Sequence, residues 1–194
     1  MDVDFLASYP SLMAADALQN KLAELKLVVF DVDGVLTDGG LLYSAAGEEV
    51  KRFNVKDGVA MKLLPKWGVT VAVITAKDSA PLRRRMEDLG VKHFYPGCHD
   101  KAAAFDELVD TLQISPKHCA YVGDDVIDLQ VMPKVGVSFC PSDAHVLVKR
   151  HCHFTLNKSA GQGVAREVAD VILATRMALE DAYALAQKPE FEKK

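Results

Sequence analysis

The chain has 194 residues, with 23 lysines and arginines against 27 aspartates and glutamates, for a formal net charge of −4. That length suits one domain with a substantial core, and the mildly acidic balance excludes the bulk-basic surface of a nucleic-acid binder. The acidic start, Met1-Asp2-Val3-Asp4-Phe5, is not expected to be a signal peptide, no apolar run is long enough to span a bilayer, and the scattered Cys98, Cys119, Cys140 and Cys152 point to reduced thiols in a cytoplasm.

Residues 1–24 read as a helical lead-in, with Leu12, Ala15, Leu18 and Leu22 near helical spacing. Lys26 to Phe30 is a short β-rich run that ends at Asp31, as a buried parallel strand would. Leu41-Leu42-Tyr43 and Val50 to Phe53 flank a Gly47-containing turn and predict a small β-hairpin. Helix is then expected over Asp57 to Lys66 and strand over Val69 to Ile74. Ser79 and Pro81 open a helix that Gly90 stops. Beyond it the pattern gives strand at His93 to Tyr95, helix at Asp100 to Leu112 and strand at His118 to Val122. Helix at Asp125 to Met132, strand at Val135 to Phe139 and one long helix over Gly163 to Ala186 complete the chain. His151 and His153 would share one side of a strand, and without a second ligand pair they read as surface residues, not a soft-metal site.

Strands alternating with helices predict an α/β fold: a Rossmann-like, mostly parallel sheet with helices on both faces, a hairpin flap and no large cap domain. The extension over 1–24 precedes a domain expected over 25–188 and a tail over 189–194. In such sheets ligands sit at the carboxyl ends of the strands. The polar clusters fall at those ends: Asp31-Val32-Asp33, Thr75-Ala76-Lys77 and Gly123-Asp124-Asp125.

Alone, a D-x-D after a strand is equally a solvated turn. An EF-hand loop fails because its fifth and sixth positions would be Val35 and Leu36. Thr75 adds a hydroxyl at a strand end, and Lys101 adds an ammonium at a helix start, where free N–H groups also favour an anion. Asp124, Asp125 and Asp128 supply further oxygens, which suit a hard cation such as magnesium.

The order D-V-D-G-V-L-T-D, I-T-A-K, Lys101 and G-D-D-x-x-D resembles the haloacid dehalogenase phosphatase superfamily. With Phe53-Asn54-Val55-Lys56-Asp57-Gly58, Ala120 to Asp125 and Arg166-Glu167, the stretch from about Leu25 to Ile172 is similar to the family of 3-deoxy-D-manno-octulosonate 8-phosphate phosphatases. The resemblance implies Asp31 as nucleophile and Asp33 as acid and base. It implies Mg2+ held by the Asp31 carboxylate, the Asp33 backbone carbonyl and Asp124, and a phosphoryl group gripped by Gly34, Thr75 and Lys101. Asp125 and Asp128 would orient this shell. Asn54, Val55, Lys56, Asp57, Gly58, Lys62, Lys77 and Arg85 would lie near a phosphorylated sugar acid.

By the same resemblance the enzyme would feed lipopolysaccharide synthesis and act as a cytoplasmic homotetramer, with no nucleic-acid or membrane partner. A nine-carbon sialic-type 9-phosphate is the close alternative substrate, and a non-catalytic phosphate-sensing or assembly subunit the alternative class. Lys56, Lys62 and Lys77 stand where the family commonly has Arg, which keeps charge but loses bidentate geometry. Ala76 replaces a usual Gly, and Ala160 to Arg166 departs from the family's G-G-x-G pattern, with Gln162 replacing a cation.

Overall fold

The computed structural model describes residues 1–10 and 16–192. Its main sheet is built from β1 (Leu27–Phe30), β4 (Thr70–Ile74), β5 (His93–Tyr95), β6 (Cys119–Val122), β7 (Val137–Cys140) and β8 (Phe154–Thr155). The order is β5-β4-β1-β6-β7-β8, and every pairing is parallel. All residues of β1, β6 and β7 are buried. Because side chains alternate along a strand, Val28 and Phe30 of β1 enter one core while Leu27 and Val29 enter the other. A sheet apolar on both faces needs helices on both, which is the α/β architecture expected from the sequence.

The helices are α1 (Val3–Leu6), α2 (Asp16–Ala23), α3 (Val55–Leu63), α4 (Ala80–Leu89), α5 (Lys101–Leu112), α6 (Val146–His151), α7 (Val164–Ala174) and α8 (Leu179–Tyr183). From β1 the chain steps outward to β4 and β5, then returns to β6 on the other side of β1. That reversal makes a switch point beside β1, where ligand crevices form. Phe30 is level with Val73 of β4 and Val122 of β6, so Asp31, Ile74-Thr75 and Gly123 leave the sheet on one rim. The hairpin β2 (Leu42–Ser44) and β3 (Gly47–Val50) stands apart as a two-stranded sheet.

The structure corrects several predicted elements. The helix placed from Asp57 starts at Val55, because the Asn54 side chain accepts the Lys56 N–H at 3.0 Å as an N-cap. The segment Asp125 to Met132 is not α-helical but forms 3-10 turns at Val126–Gln130 and Met132–Lys134. The Asp128 side chain reaches back to the Asp124 and Asp125 N–H groups, and Pro133 has no N–H to extend a helix.

The expected long C-terminal helix breaks after Ala174. The Ala174 carbonyl accepts the Asp2 N–H at 2.7 Å, Arg176 turns its guanidinium to the Trp67 and Leu25 carbonyls, and the Asp2 carboxylate accepts the Leu179 N–H at 2.9 Å to start α8. His151 ends α6 and bonds the Leu147 carbonyl, whereas His153 bonds Ser138, so the two share no strand face.

Leu12 and Ala15 lie outside the described residues. In the rest of the lead-in, Leu6, Tyr9 and Leu22 are buried in the same core as Phe30, and Phe191 packs against that core from the tail. No helix among the described residues is long and apolar enough to cross a membrane.

Candidate active site

The rim beside β1 opens into a cleft of about 410 Å³. Asp31, Asp33, Gly34, Thr75, Lys77, Lys101, Asp124 and Asp125 all line it, together with Asp38, Asp143 and Ala160. Residues from three strand ends and one helix start, far apart in sequence, thus converge on one surface.

Asp31 is buried at the end of β1, where its N–H donates to the Val122 carbonyl at 2.9 Å. Its Oδ2 lies 2.9 Å from Lys101 Nζ, and the same ammonium lies 2.7 Å from Asp128 Oδ1. Lys101 is fully buried as the first residue of α5. Its backbone N–H, free of an intrahelical acceptor at that position, donates to Gln130 Oε1 at 2.9 Å.

Asp128 is saturated. Oδ1 accepts from Lys101 and from the Tyr121 hydroxyl at 2.7 Å, and Oδ2 accepts the Asp124 and Asp125 N–H groups at 2.9 and 3.2 Å. It therefore organises the rim and leaves Asp31 and Asp124 to face the cleft. The tight loop requires its glycine: Gly34 has φ +83°, and a Cβ there would lie 2.0 Å from Asp124 Oδ2. Thr75 is also buried, its Oγ1 3.4 Å from the Lys77 N–H.

Charge and burial suit this cleft to a cation. The cleft is lined by six carboxylates (Asp31, Asp33, Asp38, Asp124, Asp125, Asp143) but two ammonium groups (Lys77, Lys101). Ligand atoms of Asp31, Asp124 and Asp128 lie within 4.8 Å of one another, and Asp124 Oδ1 is buried with no hydrogen-bond partner among the described residues. Such a cluster is costly without a positive ion, and an all-oxygen donor set matches a hard divalent cation.

Burial, then the neighbouring Asp128, Asp31 and Asp125 charges, push Asp124 up to about 8. Burial and Asp128 likewise raise Asp31, against the pull of Lys101. Burial alone would lower Lys101, but Asp31 and Asp128 outweigh it and hold the ammonium charged.

A pH dependence follows. A carboxyl group whose folded pKa is raised binds its proton more tightly folded than unfolded, so its contribution to stability is lost as pH rises through the folded value. The chelated protein should therefore lose stability from about pH 4, where an unfolded aspartate ionises, up to about pH 8, where Asp124 ionises in the fold. Magnesium reverses that loss, and its binding releases protons. The rise in Tm on adding magnesium should be larger at pH 8.5 than at pH 6; an equal rise at both would refute proton–metal competition here.

The remaining sequence-predicted residues lie elsewhere on this chain. Asn54 Nδ2 donates to the Gly161 carbonyl at 3.2 Å, and Arg85 donates to the Asn54 carbonyl at 3.2 Å with its guanidinium over the Phe53 ring. Asp57 is buried and accepts the Arg166 N–H at 2.9 Å at the start of α7; burial lifts it to about 6. Gly58 packs under Arg85, where a Cβ would lie 2.7 Å from Nη2. Val55 is exposed, Lys56 borders a separate hollow beside Arg166, and Lys62 borders a groove shared with Phe191. Of the eight residues assigned to the sugar acid, Lys77 is the one that lines this cleft.

Sequence reasoning missed Lys51, whose ammonium contacts Asp33 Oδ1, and Tyr121 and Gln130, which hold Asp128 and Lys101. No local pattern marks Lys51, which lies just past the end of β3.

Residues 90–168 match the family model described as haloacid dehalogenase-like hydrolase. A Yersinia pestis protein named 3-deoxy-D-manno-octulosonate 8-phosphate phosphatase KdsC is 41% identical over 172 residues, which is 89% of this chain and 92% of that protein. The Moraxella catarrhalis phosphatase of that name, solved with magnesium, phosphate and KDO, superposes with TM-score 0.82 at 33% identity, covering 88% of this chain and 98% of that one. A cobalt-bound form from Haemophilus influenzae superposes with TM-score 0.79 at 42% identity, covering 80% of this chain and 91% of that one. With that identity carried across nearly the whole of both chains, the protein belongs to the 3-deoxy-D-manno-octulosonate 8-phosphate phosphatase family of haloacid dehalogenase-like hydrolases.

Proposed function

We propose that the protein is a magnesium-dependent phosphoric monoester hydrolase that converts 3-deoxy-D-manno-octulosonate 8-phosphate to the free sugar acid and phosphate, a step in lipopolysaccharide synthesis. The observation that carries this reading is the meeting of Asp31, Asp33, Thr75, Lys101 and Asp124 in one cleft, in a chain so close to phosphatases of that name.

Asp31 attacks phosphorus while the bond from phosphorus to the sugar oxygen breaks, and an aspartyl-phosphate forms. Asp33 gives a proton to the leaving sugar oxygen, then takes one from the water that attacks the aspartyl-phosphate and frees inorganic phosphate. Lys101 and Thr75, with the Gly34 N–H, hold the phosphoryl oxygens as charge redistributes. Asp31, Asp124 and the Asp33 carbonyl would hold Mg2+. Once bound, the ion offsets the charge of the carboxylate and of the phosphate it approaches. Asp125 and Asp128 orient the surroundings, Asp128 through the bonds described above. Lys77 meets the sugar acid at the mouth of the cleft.

Phosphate release from a panel of phosphomonoesters tests the substrate. The eight-carbon acid should be preferred over simple sugar phosphates and over a nine-carbon acid 9-phosphate. Equal rates on simple sugar phosphates would refute the specificity.

We further propose a cytoplasmic homotetramer. The hairpin presents Leu41, Leu42, Tyr43 and Val50 to solvent at 44–62% exposure, and Leu41 borders the cleft. An apolar patch of that kind marks an interface, and an uncapped cleft needs a partner surface to exclude water. In the assembly the exposed Val55 and Lys56, with Lys62, would serve a neighbour's substrate. The four scattered cysteines, with no C-x-x-C pair, support a reducing compartment. Sedimentation should give four times the chain mass; a fully active monomer would overturn the assembly.

A further inference from the structure

We propose that Lys51 is a positioning residue for this reaction: it fixes the pose of Asp33 so that one carboxylate oxygen faces the leaving group, and it ties that pose to the hairpin. The inference rests on the reading of Asp33 as acid and base.

The Lys51 side chain has no exposed surface, and its Nζ contacts Asp33 Oδ1. The Thr37 hydroxyl approaches the same oxygen at 3.3 Å. The terminal torsion of an aspartate is broad and roughly two-fold, so the Lys51 ammonium on one oxygen, beside a Thr37 hydroxyl shared with the Val32 carbonyl, selects one pose from that range. The other oxygen, Oδ2, is buried and has no hydrogen-bond partner among the described residues. A buried acceptor in that state is unfavourable, and a substrate hydroxyl or leaving oxygen completes it. Asp33 is therefore divided: Oδ1 is held by the protein and Oδ2 is kept for chemistry.

A buried ammonium is itself costly unless paired, so the contact is selective in both directions. Lys51 directly follows Val50, the last residue of β3, which is 55% exposed. Just past the strand end, Val50 faces outward and the Lys51 side chain turns inward to Asp33. Any displacement of the hairpin base is thus passed to the acid–base group through one side chain.

The test compares kcat/KM for two substrates on wild type, Lys51→Met, Asp33→Asn and the double variant, at saturating magnesium. This ratio reads only the steps through transfer of the phosphoryl group to Asp31. An alkyl 8-phosphate needs its leaving oxygen protonated, whereas para-nitrophenyl phosphate leaves as a stable phenolate. Lys51→Met should lower kcat/KM for the sugar phosphate by about 10- to 100-fold and for the aryl phosphate by less than about 3-fold. In the Asp33→Asn background it should add no further loss, and Lys51→Gln, which keeps a donor, should recover part of the activity.

Equal losses on both substrates would make Lys51 merely structural, and no loss on the sugar phosphate would exclude the positioning role. Full turnover of the sugar phosphate by Asp33→Asn would instead refute the acid–base reading on which the inference stands.

Discussion

Asp31→Asn is expected to lower kcat by roughly 10⁴-fold or more, the scale seen when an enzyme loses its nucleophile, without loss of the fold. An amide cannot form the acyl-phosphate. The stability side follows from the charge cluster: Asp31 is buried beside Asp124 and Asp128, with Lys101 as the ammonium between them. Burial penalises each charge there, and the carboxylates repel one another. Removing one of them relieves the chelated protein, so its Tm at pH 8 should equal or exceed that of wild type. The same change removes an anionic oxygen from the cation site, so the magnesium-induced rise in Tm should shrink. Retained turnover would show that another group attacks phosphorus.

Asp128→Ala is expected to have the largest effect on stability. Its carboxylate accepts from the Lys101 ammonium, the Tyr121 hydroxyl and two backbone N–H groups, all at a position with no exposure. Truncation leaves the buried Lys101 ammonium with Asp31 alone and deprives three other donors of their acceptor, which costs about 3–5 kcal/mol. For a chain of this length that corresponds to a Tm lower by about 10 °C. Lys101 loses one of its two carboxylate partners and Asp124 loses the anchor of its backbone, so kcat should also fall by about 10- to 100-fold. Calorimetry and steady-state rates measure the two effects separately. A variant with wild-type Tm would mean that the four bonds do not contribute to the native state.

The convergence of the cleft residues was legible in the sequence for a physical reason. Each follows a buried strand or opens a helix, and parallel strands in register bring their ends to one rim. Asp31, Thr75 and Asp124 could be read from the runs before them, and Lys101 from the N-cap at Asp100. What lay beyond reach depends on contacts between distant segments. Lys51 reads as one more hairpin charge until the fold turns it onto Asp33. Arg85 reads as part of a basic helix face until its guanidinium meets the Asn54 carbonyl and the Phe53 ring.

The C-terminal helix shows the same limit. Its apolar spacing continues past Ala174, and the break comes from Asp2, at the opposite end of the chain, which takes the Ala174 carbonyl and caps Leu179. The 3-10 turns after Asp125 were misread as helix because their apolar spacing is similar. Asp128 tightens them by reaching back to the preceding N–H groups.

The identity of the group that takes the phosphoryl from substrate can be read directly. Turnover of 3-deoxy-D-manno-octulosonate 8-phosphate carrying labelled phosphorus is quenched in acid, and the peptide bearing the label is mapped. Asp33→Asn given labelled para-nitrophenyl phosphate, whose phenolate leaves without a proton, serves as the case in which the intermediate accumulates for want of a base. The label is expected on Asp31 and should vanish in Asp31→Asn; label on any other residue, or none while product forms, would contradict the covalent role of Asp31.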